Sequence, residues 1–190
     1  MAAATPVLVL WGGELSQGIA ERIVKEGGAR SVAMEARTME GYRKPALKAL
    51  AASSQTVILV LQTVENGEPP ESAGGVLRFF KMKSQPVDLL ASVAFSVLAL
   101  GDSNLLLDRQ TTTAKDCNKA GQLLDARMGE LGGRRFYALG EGDERTALQE
   151  VEPWIEGLWV ALEGARAGGE EGGAAAAGAA AALAPEPEPA

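Results

Sequence analysis

No histidine occurs anywhere in the 190 residues. That absence excludes a Ser-His-Asp triad, a Cys-His pair and the commonest zinc ligand sets in one step. The single cysteine, Cys117, excludes an internal disulfide framework and fits a reducing compartment. Aromatic residues make up only 5% of the chain. No apolar run approaches the ~20 residues of a membrane span. Basic residues are outnumbered 18 to 25, for a formal charge of −7. The segment from Glu163 onward holds five acids and one base, so −4 lies there and −3 on the body. An acidic body lacks the basic face that nucleic acid requires. The start, MAAATPVLVLWGG, has no basic segment before its first apolar run, so no signal or transit peptide is read there. The expectation is a cytoplasmic protein that binds neither nucleic acid nor membrane.

Enough apolar residues are present, 46% of the total, to fill one core. The expected domain covers residues 1–164. Residues 165–190 are Gly, Ala, Glu and Pro with one Arg and one Leu, and are expected to be disordered, because they bury too little to offset their ordering entropy. Pro6 to Trp11 is a continuous apolar run, as in a parallel strand buried on both faces. Gly12 and Gly13 stop it, and Ser16 is a candidate cap for a helix through Ile19, Ile23 and Val24 that Gly27-Gly28 closes. Ser31 to Ala36 is a weaker strand. Thr38 to Ser53 is helix or irregular, interrupted by Pro45. Thr56 to Gln62 is a strand, followed by a Gly- and Pro-containing loop and a helix from Ser72 to Lys83 with Val76, Leu77 and Phe80 inward. Phe95 to Leu100 is a buried strand that breaks at Gly101, Asp102 and Ser103. Thr112 or Thr113 can cap a helix over Ala114 to Leu131, with Cys117, Leu124 and Met128 inside and Gly132-Gly133 at its end. Arg134 to Leu139 reads as a fifth strand with GEGDE as its end loop, and Val151 to Leu162 as a last helix burying Trp154, Leu158 and Trp159.

This β-α alternation predicts an α/β three-layer sandwich around a parallel sheet. Five strands favour the flavodoxin-like order 2-1-3-4-5, with a ligand at the strands' C-terminal ends. Three loops lie there. The first, Gly12 to Gly18, places backbone amides and the Ser16 hydroxyl at a helix start, suited to an anion or simply to a helix cap. It is neither a Walker A loop nor GxGxxG. The second, Gln62 to Glu71, offers Glu65 and Glu68 as solvated charges and Asn66-Gly67 as backbone donors and acceptors. In the third, Asp102 caps local amides or, with no partner ligands nearby, less readily holds a metal. Ser103 lacks any base to activate it, which disfavours a hydrolase. Trp11 ends the first strand beside the first loop and reads as core or rim packing.

Four stretches resemble the FMN-binding, flavodoxin-like domain of the diflavin reductases, above all its methionine synthase reductase branch: NGEPPESA, LALGDSN, LLDARMGELGGRRFYALGEGDE and EVEPWIEGLWVAL. The resemblance spans roughly Pro6 to Leu162. It implies that Ser16, Gln17 and Gly18 hold the FMN phosphate. Thr63, Val64, Glu65 and Asn66 would flank one face of the isoalloxazine. Leu100, Gly101, Asp102, Ser103, Asn104 and Leu105 would flank the other face and the ribityl chain, with Asp143 an acidic neighbour of the flavin. It further implies electron transfer to a redox partner protein with a basic docking face, in a chain that carries no FAD- or NADPH-binding domain. Three features depart from the family pattern. The first loop is shorter and lacks the Ser/Thr-Gln-Thr-Gly motif. Val64 and Leu105 or Leu106 stand where stacking aromatics are usual. The third loop is longer. They motivate an alternative, a flavodoxin-like module that has lost FMN and serves as a binding or regulatory domain.

Overall fold

A computed structural model describes residues 5–106 and 112–167. Of the expected tail 165–190, residues 168–190 lie outside the described residues, as does the third-loop segment 107–111. Eleven elements follow in order: β1 (Val7–Gly12), α1 (Glu14–Ala29), β2 (Met34–Thr38), α2 (Lys44–Ala51), β3 (Thr56–Gln62), α3 (Gly74–Lys81), β4 (Ala94–Gly101), α4 (Lys119–Glu130), β5 (Arg134–Arg135), β6 (Gly140–Asp143) and α5 (Val151–Ala167). Every strand pairing is parallel and the order is β2-β1-β3-β4-β5, with β6 also paired to β4. This is the flavodoxin-like order expected from the sequence. No helix among the described residues is long and apolar enough to cross a membrane.

The continuous apolar strands are explained by helices on both faces. Leu8 and Leu10 of β1, Val57, Leu59 and Leu61 of β3, and Phe95 and Val97 of β4 point into one core with α2, α3 and α4. Their alternates, Val7, Val9, Ile58, Val60, Leu98 and Leu100, point into a second core with α1 and α5. All eight residues of β4 are buried, between β3 on one side and β5 and β6 on the other. Each buried Leu, Ile, Val or Phe adds ~1.5–3 kcal/mol of transfer free energy.

Several boundaries differ from expectation, each for a physical reason. Pro45 does not interrupt a helix but lies at the start of α2, where its missing N–H has no helical partner to lose. Thr113 caps a single 3-10 turn, Ala114–Asn118, with Asp116 completing a capping box, and α4 proper begins at Lys119. The expected fifth strand, Arg134 to Leu139, shrinks to Arg134–Arg135, and the pairing with β4 resumes only at Gly140. Phe95 of β4 faces Arg135 and Leu98 faces Gly140, so two extra residues bulge out between them. GEGD, expected in a loop, is β6. Its glycines serve packing: a Cβ on Gly140 would lie 2.5 Å from the Trp154 ring, and one on Gly142 would lie 2.7 Å from Val151. Trp154 bridges the bulge by donating its indole N–H to the Ala138 carbonyl at 2.9 Å. α5 continues to Ala167, three residues past the expected domain end at 164.

Candidate functional site

The parallel register brings three strand ends level. Gly12 of β1 faces Leu61 of β3, and Gln62 of β3 faces Leu100 of β4. The loops that follow are therefore neighbours at one edge of the sheet. No cluster of metal-ligating side chains occurs there or elsewhere among the described residues.

The first loop is reduced to one residue. Gly13, at φ 102°, turns the chain straight from β1 into α1. A Cβ at this position would lie 2.5 Å from the Gln62 side chain, so both φ and space demand glycine. Gln62 uses its carbonyl Oε1 to accept the Leu15 N–H at 3.3 Å, occupying one of the free amides of the helix start. Glu14 stands exposed in the first turn. Helix α1 thus begins two residues before Ser16, which corrects its reading as a cap. Ser16 is buried on the helix's inner face, its hydroxyl without a hydrogen-bond partner among the described residues. Gln17 remains at the rim and donates from Nε2 to Glu21 at 2.8 Å. Gly18 is exposed with nothing near its Cβ position, on the outer side of the helix.

The second and third loops are knitted together by backbone and side-chain hydrogen bonds. Thr63 donates its N–H to the Leu100 carbonyl at 2.7 Å and accepts the Ala120 N–H on Oγ1 at 3.1 Å. Val64 donates to the Glu68 carbonyl at 2.8 Å, closing a 3-10 turn over Glu65–Gly67 that includes Asn66. Asp102 accepts the Asn104 N–H at 2.9 Å, the local capping role expected for it. Gly101 lies under the Ala114–Asn118 turn so closely that a Cβ would be 2.0 Å from the Cys117 carbonyl oxygen. Val64 and Leu105 are exposed apolar side chains, 36% and 41% accessible, standing at the ends of adjacent strands.

Asp143, at the end of β6, fastens this arrangement from the side. Its Oδ1 accepts the Ser103 N–H at 2.9 Å and the Arg145 N–H at 3.0 Å. Burial alone would raise its carboxyl pKa, but the hydrogen bonds from Ser103 and Arg145 outweigh it and the net shift is downward. Cys117 is buried, and desolvation, reinforced by Asp143, Asp102 and Glu141, pushes its thiol up to about 12. It is an inert packing residue, as the sequence suggested.

A groove of about 470 Å³ opens between the ends of β1, β2 and β3, lined by Trp11, Gln17, Thr38 and Val64 among others. Glu14, Glu40 and Glu71 line it and no lysine or arginine does. Gln62, Glu40 and Glu71 carry no site role in the sequence reading. The only signal for Gln62 was a polar residue closing an apolar strand. Glu40 follows the β2 end, which reading β2 as Ser31 to Ala36 placed too early.

Comparison with known proteins agrees with this architecture. A model of the flavodoxin family matches residues 15–154. A methionine synthase reductase from Bos taurus is 38% identical over 115 residues, 60% of this chain and 15% of its own length. One from Mus musculus is 31% identical over 148 residues, 77% of this chain and 20% of its own. An NADPH-dependent diflavin oxidoreductase 1 from Bos taurus is 28% identical over 163 residues, 83% of this chain and 25% of its own. The chain thus spans a quarter or less of these relatives. A flavodoxin from Pseudomonas aeruginosa superposes with a TM-score of 0.63 at 22% identity, covering 84% of this chain and all of that one. With a family model matching most of its length and a parallel β2-β1-β3-β4-β5 sheet, the chain belongs to the flavodoxin family, and the diflavin reductases are among its homologues.

Proposed function

We propose that this domain binds flavin at the level ends of β1, β3 and β4 and transfers electrons, as the counterpart of the FMN module of methionine synthase reductase. Flavodoxin domains bind FMN. The observation that carries the reading is the pair Val64 and Leu105. They are two of six exposed large apolar side chains among the described residues, and they project from neighbouring strand ends. Exposed apolar groups placed as a pair fit the two faces of a planar ring, and in this chain they take the place of stacking aromatics. On this reading Thr63, Val64, Glu65 and Asn66 lie on one side of the ring and Leu100, Gly101, Asp102, Ser103, Asn104 and Leu105 on the other.

A bound flavin supplies one- and two-electron chemistry. The chain's residues set its surroundings. Val64 and Leu105 shield the ring from water. Asp143 holds the third loop in place by accepting the Ser103 N–H. Exposed Glu65, Glu68 and Glu144 give the rim a negative field, which disfavours added negative charge on a ligand and steers a redox partner with a basic face. The single buried thiol favours the cytoplasm as its compartment.

The test is a thermal scan and absorbance spectrum of the flavin-free full chain with and without FMN. At a hundred times Kd the ligand adds ~2.7 kcal/mol of stability, or about 5–10 °C in Tm for a domain of this size. A colourless protein whose Tm ignores added flavin contradicts the proposal and leaves the alternative of a binding or regulatory module.

A further inference from the structure

The end of the site where a flavin's phosphate belongs is not built for an anion. An anion site at a helix start needs free amides and a favourable field. Here the Leu15 amide is taken by Gln62 Oε1 at 3.3 Å. Glu14 places its own carboxylate in that first turn, and Glu40 and Glu71 line the adjoining groove, which no lysine or arginine lines; Arg43 lines the neighbouring pocket that shares Glu40, Glu71 and Ser72 and lies away from the helix start. The Ser16 hydroxyl is fully buried on the inner face of α1. No extra loop length exists to wrap an anion, because Gly13 alone separates β1 from α1. The same groove is ample, about 470 Å³, with Gln17, Thr38 and Ser72 offering neutral polar groups beside the apolar Trp11, Val64 and Pro70, a mixed lining that suits an uncharged polyol.

Building on the flavin reading, we propose that the domain holds flavin by its ring and ribityl chain without a phosphate anchor. Riboflavin, the uncharged form, then binds at least comparably to FMN. Glu14 is the specificity-determining residue: its carboxylate opposes the phosphate dianion and is indifferent to a hydroxyl. Gln62 acts with it by occupying one of the free amides at the helix start.

The experiment titrates flavin-free full-length protein with riboflavin and with FMN, following quenching of flavin fluorescence at low and moderate salt. Riboflavin bound within tenfold of FMN, or more tightly, supports the proposal. So does an FMN affinity that improves as salt screens the carboxylates while riboflavin affinity stays constant. The variant Glu14→Lys should tighten FMN at least tenfold and leave riboflavin unchanged. FMN bound more than tenfold tighter than riboflavin by the unaltered protein overturns the proposal while the flavin reading stands. Binding of neither flavin overturns both.

Discussion

Replacing Gly101 by alanine tests whether the end of β4 is held by close approach of the turn above it. The added Cβ would lie 2.0 Å from the Cys117 carbonyl oxygen and 2.6 Å from its carbonyl carbon, against an ordinary contact of 3.4 Å or more. The obstruction is backbone, so no side chain can swing aside. The Ala114–Asn118 turn must lift by about 1.4 Å. Forced separation of packed elements costs ~1–3 kcal/mol. The lift also strains the Ala120 N–H to Thr63 Oγ1 hydrogen bond of 3.1 Å, worth ~0.5–1.5 kcal/mol. The expected loss is about 2–4 kcal/mol, or ~4–16 °C in Tm. Gly164→Ala is the control: that helical glycine has nothing within 4 Å of its Cβ position, and the change should raise stability by up to ~1 kcal/mol. A Gly101→Ala protein melting within 2 °C of the parent, an outcome about half the smallest expected shift, would refute the reasoning.

Other perturbations follow from the same contacts. Asp143→Asn keeps an acceptor but removes the charge that receives the Ser103 and Arg145 amides, costing ~1–2 kcal/mol in urea unfolding at pH 7. Because folding lowers this pKa, the charge's contribution is complete above the unfolded value of about 3.9 and is lost as pH falls through the folded value. The parent and variant stabilities should therefore differ constantly from pH 5 to 8 and converge in acid; a gap unchanged at pH 2 would contradict this. Cys117 should resist iodoacetamide at pH 8 until the domain unfolds, since its thiol is buried and pushed up to about 12; rapid labelling of folded protein would contradict its placement. Arg135→Ala removes the paired 2.8 Å bonds from Nε and NH2 to Asp125, which joins α4 to the start of β5, and should cost about 1–3 kcal/mol by denaturant melt, with most of the loss from the buried Asp125 carboxylate left unpaired.

The layers and order were legible because apolar runs buried on both faces leave no ambiguity. VLVLW, TVILVLQ and AFSVLAL can form only central parallel strands, and their helices carry one apolar stripe each. Loop ends converged as expected because the order 2-1-3-4-5 leaves them nowhere else to go. Local readings failed where a residue's role depended on a neighbour distant in sequence. Gly140 and Gly142 look like loop residues, yet they are flat places for Trp154 and Val151 to pack on. Ser16 looks like a cap, yet Gly13 already turns the chain and delivers Ser16 to the core. Gln62 looks like an incidental strand end, yet it crosses to α1 because β1 and β3 are adjacent. The motifs marked the loops after β3 and β4 as candidates for the ring; the acidic groove beside the start of α1 emerged only when Glu14, Gln62, Glu40 and Glu71 were seen together.

The central claim is that flavin sits across the ends of β1, β3 and β4. Amide chemical-shift mapping of isotope-labelled full chain during flavin addition reads this directly. Flavin bound there should produce saturable shifts concentrated in Gln62 to Gly67 and Gly101 to Leu105, with smaller ones at Gly13 to Gln17 and none on the exposed face of α5. Saturable shifts confined to another surface, or no shifts at excess flavin, would contradict it.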